Sequence, residues 1–168
     1  MLKKLLFSYL FGACFLVSSA VAHEFSNDNF HIDHPWARPT FALATTGAAY
    51  LSIHNMSSED DRLVAASVSA EVADEVQLHD VLMDGEMMKM REMQDGVVLP
   101  SRKTVEFRPG GKHIMLLGLK GPLNEGSRFQ LTLHFAQGDD VEVTVNVEQP
   151  QGDKASEKTG EHKHHHNH

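Results

Sequence analysis

A chain of 168 residues with 23 acidic and 15 basic side chains carries a formal charge of −8 and one cysteine, Cys14. That length suits one domain able to bury a core, and the acidic balance excludes nucleic acid or an anionic membrane as a natural partner. Because the thiol falls in an apolar leader, the remainder can form no disulfide, blue-copper centre, binuclear CuA site or thiol-redox pair, all of which need cysteine.

Residues 1–22 read as a cleavable secretory signal, with Lys3 and Lys4 ahead of an apolar run from Leu5 to Val17 and small residues at Ala20-Val21-Ala22. Cleavage there predicts a periplasmic protein of 146 residues and charge −10, with no stable membrane insertion. Cys14 lies mid-run after Phe11-Gly12-Ala13, a poor match to a lipoprotein acylation site. The new terminus, His23, would offer an amino group beside its imidazole, a chelating pair for Cu(II). His31 and His34 fall in a polar leader before Trp36, the single tryptophan and an expected core anchor.

From there to residue 148 the pattern is β. Strands are expected at Ala48 to His54, Arg62 to Val68, Val72 to His79, Met87 to Arg91, Val105 to Arg108 and His113 to Leu117. Phe129 to Phe135 and Val141 to Val147 alternate apolar and polar residues around Gly138-Asp139-Asp140, which predicts a hairpin. Turn signals separate the others: Ser57-Ser58-Glu59-Asp60, Asp84-Gly85, Asp95-Gly96, Pro109-Gly110-Gly111 and Asn124-Glu125-Gly126. Short strands at that spacing indicate an all-β sandwich or barrel spanning residues 23–148. By parity His54 goes with Ser52 and His134 with Thr132, so both are expected to face outward.

Residues 149–168 differ in composition: apolar side chains vanish, and the expectation is a disordered tail. It ends in an interrupted cluster, His162, His164, His165, His166 and His168, which reads as a native site for Cu(II), Ni²⁺ or Zn²⁺ rather than a uniform purification tag.

The chemistry concentrates between His79 and Met115. Met83, Met87, Met88, Met90 and Met93 lie between His79 and the His113-Ile114-Met115 triplet. Thioether sulfur is neutral and polarizable, so it suits Cu(I) and competes poorly for Zn²⁺, Mg²⁺ or Ca²⁺. On a strand, His113 and Met115 project from one face while Ile114 and Leu116 take the other, so one strand can supply two ligands. His79 likewise takes the polar parity of Val76-Gln77-Leu78-His79. Methionine is also a common core filler, and from the residues alone that alternative stays open.

These residues carry a family resemblance. The segment "LHDVLMDGEMMKMREM…VEFRPGGKHIMLLGLKGPL" resembles the periplasmic copper chaperone PCu(A)C family, whose signature is His, a ten-residue spacer, Met, a longer spacer and His-x-Met. Ten residues separate His79 from Met90, and twenty-two separate Met90 from His113, one more than the family pattern; the Gln94-Asp95-Gly96 turn can absorb it. Similarity extends through "HPWARPT", "YLSIHN", "DRLVAASV" and "EGSRFQLTLHF", from His34 to Val147. It implies a cupredoxin-like Greek-key β-sandwich, with His79, Met90, His113 and Met115 as Cu(I) ligands. It also implies a non-enzymatic carrier that delivers copper to the CuA site of cytochrome c oxidase or to a protein assembling it. No paired carboxylates or Ser-His-Asp order suggests catalysis. Two other readings remain at this stage: a periplasmic copper buffer for tolerance without a dedicated acceptor, and a non-metal β-sandwich assembly module.

Overall fold

The computed structural model describes residues 25–150 apart from Asn27 and Glu86. The leader with Cys14, the position of His23 and the histidines from His162 to His168 lie outside the described residues. Among the described residues the regular structure is all strand: β1 (Phe25–Ser26), β2 (Phe30–Ala37), β3 (Thr46–Asn55), β4 (Asp61–Val68), β5 (Glu75–Asp84), β6 (Met87–Glu92), β7 (Val97–Leu99), β8 (Thr104–Phe107), β9 (His113–Leu117), β10 (Arg128–Phe135) and β11 (Val141–Val147).

The strict alternation that predicts the last hairpin is what builds it. Val141, Val143, Val145 and Val147 are buried while Glu142, Thr144 and Asn146 face outward. Opposite them Leu131 pairs with Val143 and Leu133 with Val141. Each such side chain removed from water contributes about 1.5–3 kcal/mol, so a slip of one residue would expose the whole row.

Strand order runs β6-β5-β9-β3-β2-β11-β10-β4-β7, with β1 beside β2 and β8 beside β3. The path folds over so that β4 packs against β5 and β7 against β3. Phe30, Ile32, Ile53, Leu63, Leu99, Ile114, Leu116, Leu131 and Leu133 fill the space between the layers. The fold class is the one expected, a cupredoxin-like Greek-key sandwich.

Three expectations are corrected. The stretch around His31 and His34 is strand β2, paired with β3 along its length and lying parallel to β11 at Trp36 and Ala37. Trp36 is not a core anchor: Phe30 and Ile32 take the inward positions, and Trp36 stacks tilted on Tyr50 on the other face. A register shift between Asp33 and Trp36, with His34 at φ 47°, separates those two halves of the strand. Lastly, β5 begins at Glu75 rather than Val72, because the amides of Val72 and Asp74 bond instead to Ser69 and Leu117 in a turn.

Candidate metal centre

Strand β5 runs between β6 and β9, and its register decides which side chains meet. His79 lies opposite His113 on β9, and Gln77 lies opposite Met115. On the β6 side Glu92 faces His79 and Met90 faces Val81. Met115 and Met90 are therefore the diagonal neighbours of His79 on its two flanks, about 7–8 Å away along the backbone and within reach of a long side chain. Leu78, Ile114 and Leu116 take the opposite parity and are buried, which turns His79, His113, Met90 and Met115 to one common face.

The two imidazoles stand with ring centroids 5.7 Å apart at 44°. His113 is 5% exposed, and its Nδ1–H donates to the Gly111 carbonyl at 2.8 Å. That bond fixes the tautomer and leaves the Nε2 lone pair free. At His79 the arrangement is reversed: Nε2–H donates to Gln77 Oε1 at 2.8 Å, and Nδ1 is buried with no hydrogen-bond partner. Gln77 is itself oriented, because its amide nitrogen donates to Glu75 Oε1 at 2.8 Å.

A buried nitrogen lone pair without a donor costs about 1–3 kcal/mol. A metal ion on Nδ1 would relieve that cost, so this orphaned atom fits a cation. Burial, then the neighbouring His113, pushes the His79 pKa below its ordinary value, against an opposing pull from Glu92. The neutral, metal-competent ring is thereby favoured.

The methionines sort clearly. Met90 is 55% exposed, and Met83, Met87 and Met88 are exposed as well, so none of these four is core filler. Only Met93 of the five packs against the core. Met115 is half-buried and lines an open groove of about 420 Å³ with Thr40, Phe41, Thr46, Gly47 and Ala48. A larger cavity of about 810 Å³ lies behind the hairpin, lined by Arg62, Asp80, Leu82, Arg91 and Lys112, and includes none of the candidate ligands.

Other histidines have separate partners. His54 Nδ1 bonds Thr104 Oγ1, His134 lies between Ser67 and Asp140, His31 pairs with Asp33, and His34 with Glu148. Among the described residues, no three His, Cys, Asp or Glu side chains converge on one point. Any ion held by His79 and His113 therefore draws its remaining donors from elsewhere, and thioethers are the side chains at hand. Gln77 and Gly111 were not singled out from sequence. The signal for Gln77 was available, since Glu75, Gln77 and His79 share a parity.

Residues 30–147 match a family model described as "Putative lipoprotein LpqE-like". A curated relative, "Putative lipoprotein Lxx21020" of Leifsonia xyli subsp. xyli, is 33% identical over 135 residues, covering 80% of this chain and 79% of its own. Among solved structures, the copper-bound PCuAC domain from PmoF2 superposes with a TM-score of 0.63 at 27% identity, covering 76% of this chain and 99% of that one. The Cu(I)-bound solution structure of DR1885 from Deinococcus radiodurans gives a TM-score of 0.54 at 27% identity, covering 78% and 83%.

Proposed function

Because this chain belongs to the LpqE-like family and shares its fold with solved PCuAC domains, we propose that it is a periplasmic Cu(I) carrier with His79, Met90, His113 and Met115 as its ligands. The observation that carries the proposal is the buried, unpartnered Nδ1 of His79, set beside the His113 ring on a face bordered by two thioethers.

Both imidazoles are held by hydrogen bonds at the nitrogen that does not bind metal, so the lone pairs are oriented before the ion arrives. All four donors are neutral, which suits a monovalent soft ion and leaves the ion's own charge in place. Four protein donors leave no open position for a substrate, so the chemistry is carriage rather than catalysis. Release follows from ligand softness: cysteine thiolates outcompete thioethers for Cu(I), so transfer to a thiolate-rich acceptor is downhill. The acceptor implied by the resemblance is the CuA site of cytochrome c oxidase or a protein that assembles it.

Export is supported by the signal-like residues 1–22 and by the lipoprotein names of the family and relative. The tail histidines, His162, His164, His165, His166 and His168, would form a separate Cu(II) site, imidazole being the donor of choice for the divalent ion.

Anaerobic Cu(I) titration against a competing chelator tests the assignment. One tight equivalent is expected in the full chain, lost in His113→Ala and in Met115→Ala. Full retention in both variants would remove the assignment. Deleting the protein from its host should lower oxidase activity, whereas intact oxidase activity with raised copper sensitivity would identify a buffer instead.

A further inference from the structure

The β5–β6 hairpin carries more exposed thioether than the centre above uses. Met83 and Met88 lie directly opposite one another in the register, one row beyond the Val81 and Met90 row. They are 66% and 72% exposed, so they contribute little to the core. Alternation along the strands puts both on the face that carries His79, Met90 and Glu92. Lys89, Arg91, Asp84 and Met87 share the other parity, where Lys89 pairs with Asp84 at 2.5 Å. The hairpin thus sets its charged pairs, with Met87, on one face, and gathers Met83, Met88 and Met90 on the other.

We propose that Met83 and Met88 form an outer Cu(I) site at the hairpin tip, from which the ion passes by way of Met90 to the His79 and His113 pair. The proposal rests on the preceding reading for the identity of the ion and for the inner centre that receives it. Directly opposed residues in an antiparallel pair have Cβ atoms about 4.5–5.5 Å apart, which lets two flexible thioethers close on a single ion. Successive rows on one face are about 6.8 Å apart, so Met90 is within reach of both the outer pair and the inner imidazoles. Movement is ligand exchange alone: a copper–sulfur bond to Met90 forms as those to the outer pair break, copper–nitrogen bonds to the imidazoles then form, the ion stays monovalent, and no proton or electron is transferred. Two thioethers hold Cu(I) more weakly than a set that includes imidazole, so the ion runs inward.

The test is a titration of the full chain, labelled with ¹³C at the methionine methyl groups, using Cu(I) under anaerobic conditions and Ag(I) as a redox-inert soft probe. The first equivalent is expected to shift the Met90 and Met115 methyls, and a second, weaker one those of Met83 and Met88. The double variant Met83→Leu/Met88→Leu, which keeps apolar bulk, should lose the second equivalent and keep the first. Met87→Leu, on the other face, should lose neither. A second equivalent that persists in the double variant, or Met83 and Met88 methyls that stay fixed at two equivalents, overturns the outer site. Failure of Met90 and Met115 to respond at one equivalent would instead overturn the inner centre. Those two failures are read from different resonances.

Discussion

His79 owes its behaviour to what surrounds each of its ring nitrogens. Gln77 holds Nε2–H, burial isolates Nδ1, and His113 stands close enough to disfavour a second positive charge. The folded-state pKa is lowered from the ordinary 6.5, so the unfolded chain takes up this proton at a higher pH than the folded one does. The resulting linkage leaves stability untouched above about pH 6.5 and diminishes it as the pH falls below that value, where only the unfolded state has gained the proton. An NMR titration of the copper-free chain should give His79 a midpoint below 6.5. Glu92→Gln should move it lower still, since the Glu92 carboxylate raises it. A wild-type midpoint at or above 6.5 would contradict this account of the ring. Gln77 bears on the same atom from the other side. Side chains that hydrogen-bond to a metal-binding imidazole typically support 10–100-fold in affinity, so Gln77→Leu should weaken Cu(I) binding by about that factor while leaving one equivalent. Unchanged affinity would mean that the ring is positioned without its amide partner.

At the scale of elements, register places the centre, and register is also where sequence reading succeeded and failed. The β10–β11 hairpin was legible because Val141 to Val147 alternates without interruption. The run His113 to Leu117 was legible for the same reason, with Ile114 and Leu116 buried and Met115 outward. In β2 the signal was broken by His31, Asp33, His34 and Pro35, and by the register shift they accompany, so a strand read as a polar leader. Three residues, Val97 to Leu99, are too few for any alternation to stand out. The exposure of Met90 was hinted at by Lys89 and Arg91 on either side, but the meeting of His79 with His113 depends on a pairing between strands distant in the chain, which periodicity alone cannot supply. Asn55 was missed entirely. Fully buried at the end of β3, it donates from Nδ2 to the carbonyls of Glu59 and Leu99, and its Oδ1 accepts from the amide and hydroxyl of Ser57. It ties the β3–β4 turn to β7 at the end of β3 away from the pairing with β9. Asn55→Ala removes the buried donor to the Leu99 carbonyl, while the Glu59 carbonyl keeps the Ser57 hydroxyl, and should cost about 1–3 kcal/mol in chemical denaturation, with copper stoichiometry unchanged. A loss under half a kilocalorie would show the turn is held by other means.

The described residues form a β frame that turns a soft-donor face to solvent. No cysteine falls among the described residues, which excludes thiol chemistry there and leaves thioether and imidazole as the soft donors. The sheet order β6-β5-β9-β3 sets a two-stranded hairpin at the edge, with His79 on its inner strand and His113 opposite on the next strand in. That arrangement exposes sulfur for exchange while the imidazoles stay oriented by the fold. The central claim is that two imidazoles and two thioethers grip one Cu(I) together. X-ray absorption at the copper edge of the complex at one equivalent tests it most directly. The predicted result is a Cu(I) edge with nitrogen scatterers showing imidazole multiple scattering and a sulfur shell of comparable weight, the latter reduced in Met115→Leu. A shell of nitrogen alone, or of sulfur without imidazole, would contradict it.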